Sequence, residues 1–518
     1  MATLDTDVLV IGGGSTGAGV AWDSALRGLH VTLVDRQDFA TGTSGRFHGL
    51  LHSGGRYAVK DPSSARECAS ENRILRQVAA DCIEDTGGLF VSVPEDDQEY
   101  PDRFLRSCRG AEMEVEEIPV AEALRLEPLL NPRITRAFRV SDGSIDSWKT
   151  VSALLRGAQA HGARVLPYHK VVRVLRQGDR VQGAVLEDQR TGEQVTVTAA
   201  CTVNAAGAWS GQVAALAGCE VGVMPGKGVM VAINHRLANS VVNRCHLPGD
   251  GDIIVPVRTV CVIGTTDHPV ADPDDTEPRP EEIHQMMEAG EALIPGFKYT
   301  RAVRAWAGSR PLLPKAKSGA VADDREVSRS HSVLDHEERD GVAGLVTVAG
   351  GKFTTLRLMA EDTVDMVTRK LGRELACQTK TEPLPGSESH RYYWVGNRQE
   401  EAEADDPDDP LICECELVSQ HDLQTVVARR PAWNLDDIRR ALRVGMGPCQ
   451  GGFCAFRVAG ILHAQQRYDR PEANQALRDF VQERWKGVKL VSWGHQARQD
   501  RLDRWIFEGV YDLEHLPE

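Results

Sequence analysis

The chain has 518 residues, 41% hydrophobic and 26% charged, which is enough to bury the cores of about two to four domains. Lys plus Arg is 60 against 75 Asp plus Glu, and the formal charge of -15 repels phosphate backbones and excludes nucleic-acid binding as the main role. No apolar run reaches the ~18 residues of a membrane-spanning helix, and the acidic N-terminal residues Asp5 and Asp7 are unlike a secretory leader, so a cytoplasmic chain is expected.

The first elements carry the strongest signal. Asp7-Val8-Leu9-Val10-Ile11 reads as a buried parallel strand, followed by Gly12-Gly13-Gly14-Ser15-Thr16-Gly17 and a helical stretch from Ala18 to Arg27. A second strand, His30 to Val34, ends at Asp35. Strand, G-x-G-x-x-G, helix, strand and acid together make a complete βαβ dinucleotide fingerprint. Gly12, Gly14 and Gly17 let backbone approach a pyrophosphate at the helix N-terminus, and Asp35 accepts from a ribose hydroxyl.

The segments that follow point to a flavin rather than a nicotinamide. The small polar run Thr41 to Gly49 continues through Leu50-Leu51-His52-Ser53-Gly54-Gly55-Arg56-Tyr57, as a cofactor wrapped along its length requires. A strand over 194–203 leads into Asn204-Ala205-Ala206-Gly207-Ala208-Trp209-Ser210. Late in the chain, Leu345 to Thr355 repeats the strand-to-glycine-to-helix pattern. Three distant stretches thus converge on one cofactor. No second glycine fingerprint supports a separate nicotinamide site.

The expected architecture is α/β, a Rossmann-like cofactor domain (about 1–73, 145–219 and 328–372) interleaved with an α+β substrate domain (about 74–144 and 220–327), within residues 1–398. The acidic, proline-bearing stretch 399–410 reads as a solvated linker, and 411–518 as a small, mostly helical domain with a C-terminal extension. Eight of the 12 cysteines are scattered and read as small buried hydrophobes. The other four, Cys413, Cys415, Cys449 and Cys454, are spaced C-x-C, 33 residues, then C-x4-C. Four thiolates hold zinc or an iron–sulfur cluster. The C-x-C pair is awkward for zinc, and the glycines around Cys449 and Cys454 offer N–H groups to cluster sulfurs, which favours [2Fe–2S]. Flavin followed by a one-electron centre describes a dehydrogenase feeding a relay, not an oxidase.

In these residues the chain resembles the family of catalytic A subunits of anaerobic, respiratory glycerol-3-phosphate dehydrogenases. The matching stretches are Ile11 to Gly17, Gly42 to Ala58, Ile263 to Asp267, Gly308 to Leu312, Gly350 to Arg357, the four cysteines and Trp485 to Val488, in order along nearly the whole chain. The region after the linker resembles bacterioferritin-associated-ferredoxin-like cluster domains, and the rest a glycine oxidase or D-amino-acid oxidase architecture.

The resemblance implies FAD-dependent oxidation of sn-glycerol 3-phosphate to dihydroxyacetone phosphate. Electrons would pass to a B subunit, then to a C subunit that contacts the membrane and quinone, so that the chain sits peripherally at the inner face of the membrane. It also implies FAD contacts from Gly12, Gly14, Gly17, Asp35, Thr43, Ser44, Gly49, Ala206, Gly207, Lys352 and Thr354, and substrate contacts from Arg56, Tyr57, Arg310 and Arg329. Forked guanidiniums suit a phosphate dianion. Aerobic relatives carry a histidine shortly after a Lys-Gly pair, whereas here Lys227-Gly228 precedes Val229-Met230. The base is therefore His48, His52 or a water, with Arg310 or Lys352 stabilising a developing alkoxide. Two rival readings stand. One is a subunit of a flavin-dependent amine or amino-acid dehydrogenase, and the other is a non-catalytic electron-transfer subunit. The substrate-side set of Arg56, Tyr57 and Arg310 counts against the second.

Overall fold

The computed structural model describes residues 2–314, 330–404, 408–429 and 434–510, with 512 and 515. Two large sheets are woven from alternating stretches of chain. In the first, the strand Ala2–Ile11 lies parallel between Val31–Val34 and Gln194–Asn204. Its residues Val8, Leu9 and Val10 are fully buried, as expected of a strand covered on both faces. The strand Leu345–Gly350 joins in parallel beside the end of Gln194–Asn204, with Thr202 opposite Leu345. Parallel neighbours need crossover connections, and the first is the helix Ser15–Leu26. The helices Ser147–Ala160 and Leu356–Lys370 pack on it, and Trp22, Leu154, Met359 and Val364 share one core.

The second sheet is built from residues 88–140 and 224–312. Its long strand Met224–Ile233 runs antiparallel to Val260–Gly264 on one side and to Ala302–Leu312 on the other. Gly88–Ser92 pairs in parallel with Val241–Arg244, which sews the two inserted intervals into one sheet. The strand Ala302–Leu312 ends near Arg310, opposite Gly226. Just before its other end, Arg301 donates from Nη2 to the carbonyl of Pro448, 3.2 Å away.

Residues 399–404, expected as linker, instead complete a helix, Val395–Ala404, that buries none of its residues. The composition explains it: Gln399-Glu400-Glu401-Ala402-Glu403-Ala404 are good helix formers, and Arg398 pairs with Glu401 at 2.8 Å one turn on. Residues 405–407 lie outside the described residues.

The C-terminal unit opens on the strand pair Leu411–Cys413 and Val418–Ser419 and continues mainly as helices. Ser419, Asn434 and Asp469 each cap a helix, with Asp422, Asp437 and Glu472 reaching back three residues later. Leu423, Ile438, Val458, Leu462 and Phe480 fill its own core. The unit is held to the larger body by a buried ionic ring. Arg443 Nε meets Glu416 at 2.9 Å and Arg443 Nη1 reaches Asp146 at 3.6 Å. Arg258 from the second sheet's hairpin touches both carboxylates at 3.2 Å. Arg440 adds a contact to Asp38 at 2.9 Å, and Tyr168 donates to Asp437 at 2.5 Å. Burial opposes ionisation of Asp146, but Arg443 and Arg258 outweigh it and hold that carboxyl below its ordinary value.

Asp146 also caps the helix Ser147–Ala160 through Lys149 N–H. Asn caps as well as Asp, so Asp146→Asn isolates the charge. Removing one member of a buried ionic set strands its partners. Asp146→Asn is therefore expected to cost about 3 kcal/mol in denaturant unfolding and to expose the chain between the two units to limited proteolysis.

Candidate active site and four-cysteine centre

The fingerprint glycines divide their labour. Gly12 has φ +108°, and a Cβ there would lie 2.6 Å from the Ala205 carbonyl oxygen. A Cβ on Gly17 would lie 1.8 Å from the Gly12 carbonyl oxygen, so this glycine seats the helix on the strand. Gly14 is different. It caps the helix Ser15–Leu26, and a Cβ there would meet only Ser44 Oγ, at 3.1 Å. It faces a cavity of about 1110 Å³, above the ~300–1,000 Å³ of common small-molecule sites.

Gly12, Gly14, Asp35, Thr43, Ser44, Ala206, Gly207 and Lys352 all line this cavity. Asp35 accepts from Gly13 N–H at 2.7 Å and from Gln37 N–H at 2.9 Å, while burial pushes its pKa up to about 6. Ser44 Oγ accepts from Ser15 N–H at 2.9 Å, within the first turn of the helix. Thr43 is anchored to the Ser309 carbonyl oxygen at 2.5 Å. Gly17, Gly49 and Thr354 lie outside the lining and shape it from behind: Thr354 Oγ1 accepts from His52 N–H at 3.0 Å, and Gly49 O from Ile145 N–H at 2.7 Å. Arg329 lies outside the described residues.

Sequence reasoning missed Arg36, Gln37 and Lys170 to Val172 in the same lining. Arg36 follows the fingerprint acid and stacks over Trp209 at 4.7 Å, a position that adjacency to Asp35 already signalled. The strand His169–Gln177 is brought there by His169 N–H, which donates to Asp35 O at 2.6 Å, and its composition gives no hint of this. The indole Nε1 of Trp209 is buried without a hydrogen-bond partner although Trp209 lines the cavity. An orphaned donor, an open Gly14 and a helix N-terminus in one elongated cleft fit a dinucleotide cofactor.

His48, His52, Arg56, Tyr57, Arg310 and Lys352 line the same cavity. Each of the three cations there has a carboxylate: Arg56 with Asp252 at 2.8 Å, Arg310 with Asp267 at 2.8 Å, and Lys352 with Glu67 at 3.5 Å. Arg310 also donates to Thr265 Oγ1, to Thr266 O at 2.9 Å and to Gly226 O at 3.5 Å, which clamps it between two strands. Arg56 spends donors on Asp252 and on Gly249 O at 3.0 Å, of the five a guanidinium owns. Lys352 sits 5.3 Å from the centre of the Tyr57 ring.

The structure separates the two histidines. His48 Nδ1 accepts from Leu50 N–H at 3.2 Å, so Nε2 carries its hydrogen. Burial, then Arg56 and Arg310, push its pKa down to about 3. A neutral ring with its acceptor nitrogen already engaged is a donor, not a base. His52 has its ring 5.3 Å from Tyr57 and 6.2 Å from His48.

Of the eight scattered cysteines, seven are buried and Cys377 is half-buried. The grouped four come together. Cys415 Sγ and Cys449 Sγ are 3.9 Å apart, and Cys454 lies close enough to Cys413 and Cys449 to act on both thiols. Contacts from Cys415 and Cys454 hold the Cys449 thiol far below its ordinary value. A tetrahedral zinc at ~2.3 Å from each sulfur sets all four sulfurs about 3.8 Å apart. Among the described residues the one set of three or more His, Cys, Asp or Glu ligand atoms all within 4.8 Å of one another is Cys219, His336 and Asp340, so no three of these sulfurs meet that condition. Four cysteine sulfurs gathered at one site fit the ligand set of a two-iron cluster. Cys413 and Cys454 are buried, whereas Cys415 and Cys449 are half-buried.

Gly14→Val is expected to remove the flavin from purified protein and leave the fold intact by circular dichroism, because its Cβ meets no backbone. Cys449→Ser should abolish iron and acid-labile sulfide together and retain flavin, since the two centres belong to separate cores; elemental analysis and the visible spectrum report both.

A family model for FAD dependent oxidoreductases matches residues 7–366, and one for BFD-like [2Fe-2S] binding domains matches residues 411–464. The A subunit of the anaerobic glycerol-3-phosphate dehydrogenase of Escherichia coli K12 is 41% identical, over 98% of this chain and 97% of its own. The A1 subunit from Haloferax volcanii is 40% identical over 98% and 91%. In fold, the chain is similar to the glycerol-3-phosphate dehydrogenase of Bacillus halodurans complexed with FAD, at TM-score 0.66 and 21% identity over 93% of this chain and 95% of that one. Glycine oxidase from Geobacillus kaustophilus shares the fold at TM-score 0.56 and 22% identity, over 74% and 98%. The chain therefore belongs to the family of anaerobic glycerol-3-phosphate dehydrogenase A subunits, FAD-dependent oxidoreductases with a BFD-like [2Fe-2S] domain behind the flavin-binding body.

Proposed function

We propose that the chain oxidises sn-glycerol 3-phosphate to dihydroxyacetone phosphate and passes the electrons through its [2Fe–2S] centre to partner subunits and the quinone pool. The single observation that carries the reading is that Arg56, Arg310 and Lys352 line the same cavity as the dinucleotide fingerprint. When bound, the flavin takes two electrons as hydride and releases them singly, which is why a one-electron centre belongs on the same chain.

The protein's own groups divide the remaining work. Arg56, with donors to spare, holds the phosphate in a fork, while Asp252 fixes its direction. Arg310 is the more committed cation, and its clamp between Gly226 and Thr265 to Asp267 keeps positive charge near the alcohol oxygen as its proton leaves. His52 takes that proton. His48 stays neutral and donates from Nε2. Cys413, Cys415, Cys449 and Cys454 hold the collecting cluster.

Relatives named as A subunits belong to multi-subunit enzymes, and we assign this chain the same place, with B and C partners carrying electrons to the membrane. Among the described residues no helix is long and apolar enough to cross a membrane, so attachment at the inner face falls to those partners.

Substrate recognition is testable on Arg56. A lysine keeps the charge opposite Asp252 but loses the fork. One charge-assisted bond is worth ~1.5–3 kcal/mol, or about 10- to 150-fold. Stopped-flow flavin reduction under nitrogen should show that loss for glycerol 3-phosphate in Arg56→Lys, and the parent should not be bleached by glycerol. Equal bleaching of the parent by glycerol and its phosphate would rule out phosphate recognition here.

A further inference from the structure

A knot of arginines runs from the wall of the cavity to the cysteine loop. Arg46 lines the cavity. Arg304 comes from the strand Ala302–Leu312, Arg439 from the helix Leu435–Leu442, and Arg484 from the helix Arg470–Val488. The acids in the same field are Asp436, which pairs with Arg439 at 2.7 Å, Glu483 and, for Arg46, Asp274, so four guanidiniums face three carboxylates. Arg304 Nη1 and Arg484 Nε are buried without a hydrogen-bond partner, and Arg484 is only 4% exposed. The groups press on one another: burial, then Arg439, push the Arg304 pKa down to about 9, and burial, then Arg304 and Arg439, lower that of Arg484 as well.

The knot reaches the cluster loop directly. Arg484 donates from Nη2 to Gln450 Oε1, next to Cys449. Arg484 Nη1 and Arg439 Nη1 approach Met446 Sδ at 3.8 and 3.4 Å. Gln450 in turn ties the loop, donating to Gly447 O at 2.9 Å.

Unpaired positive charge in a low-dielectric interior is costly unless an anion completes it. A four-thiolate [2Fe–2S] cluster is such an anion, a dianion when oxidised and a trianion after taking one electron. Nearby positive charge favours the more negative form. We propose that this buried arginine knot, with Arg484 as its member nearest the cysteine loop, raises the reduction potential of the cluster and so draws electrons out of the flavin site. The inference rests on the [2Fe–2S] reading of the cysteine centre. Arg484 is a positioning residue here, not a catalytic one: no bond is made or broken at it, and one electron enters the cluster as the flavin site loses it.

Redox titration of the anaerobically purified holoenzyme tests this, following the electron paramagnetic resonance of the reduced cluster together with flavin absorbance. Arg484→Gln should lower the cluster's affinity for an electron about tenfold, about 59 mV for a one-electron couple, and leave the flavin potential unmoved. Arg484→Lys should stay near the parent, because it keeps the charge. Arg304→Gln, which has no hydrogen bond to the cysteine loop, should shift the potential the same way and carries the test if Arg484→Gln loses its cluster. Unchanged cluster potentials in iron-replete glutamine variants would overturn the proposal. So would an Arg484→Lys variant that falls as far as Arg484→Gln, since the role would then be bracing Gln450. Parent protein lacking iron and sulfide would overturn the cluster reading itself, and this inference with it.

Discussion

Everything in the larger body follows from how closely one helix is laid on one strand. With Gly17 pressed on the carbonyl of Gly12, the helix Ser15–Leu26 starts directly at the end of Ala2–Ile11. Its free N–H groups therefore point into the cleft at the carboxyl ends of the parallel strands, where α/β sheets bind ligands. Ala2–Ile11 and Gln194–Asn204 end opposite each other and Leu345–Gly350 runs on three residues past Asn204 in the same direction, so that Ala206, Gly207, Gly350 and Gly351 reach one cavity from distant parts of the chain. The second sheet covers the opening, and its strands deliver Arg310 and Gly308 to the other end of the space.

The charges at the two centres are handled in opposite ways. In the cavity Arg56, Arg310 and Lys352 are each met by a carboxylate that holds them in place. A fixed guanidinium loses little freedom when a substrate arrives, and that is preorganisation. In the arginine knot that reaches the cysteine loop, two guanidinium nitrogens are left without partners. Compensated charge suits a site that must release its product. Uncompensated charge suits one that keeps an anion permanently.

Short-range patterns were legible in the sequence. The βαβ fingerprint needs only about thirty contiguous residues, so Gly12, Gly14 and Asp35 can be read from their neighbours in the chain, whereas Thr43 and Ser44 come only from the family resemblance; all five line the cavity. The four cysteines were legible for the same reason, as two close pairs flanked by glycines. What depends on tertiary pairing was not. Nothing local announces that Arg56 will face Asp252 or Arg310 Asp267, so the carboxylate that fixes each guanidinium is visible only in the structure. The acidity of the stretch after Arg398 marks it as solvated, which the unburied helix Val395–Ala404 is, but a linker reading leaves out the helical propensity of the same Glu and Ala residues. His48 is one of three candidates for the base in the sequence, with His52 and a water, and only the fold reveals that the Leu50 N–H occupies its Nδ1.

The strand Ala302–Leu312 has a mechanical meaning beyond its place in the sheet. Arg310, near its end, stands in the substrate cavity, and Arg301, just before its start, grips the carbonyl of Pro448, the residue before Cys449. The span between the two is nine residues of extended chain, about 30 Å at ~3.3 Å per residue. It behaves as a ruler laid between the place where electrons are surrendered and the loop where they are collected. A pleated ruler cannot be lengthened by one residue without turning every later side chain to the opposite face. An extra residue between Arg301 and Arg310 would have to be taken up in a bulge, like the register shift the strand already carries opposite Ala232 and Ile233.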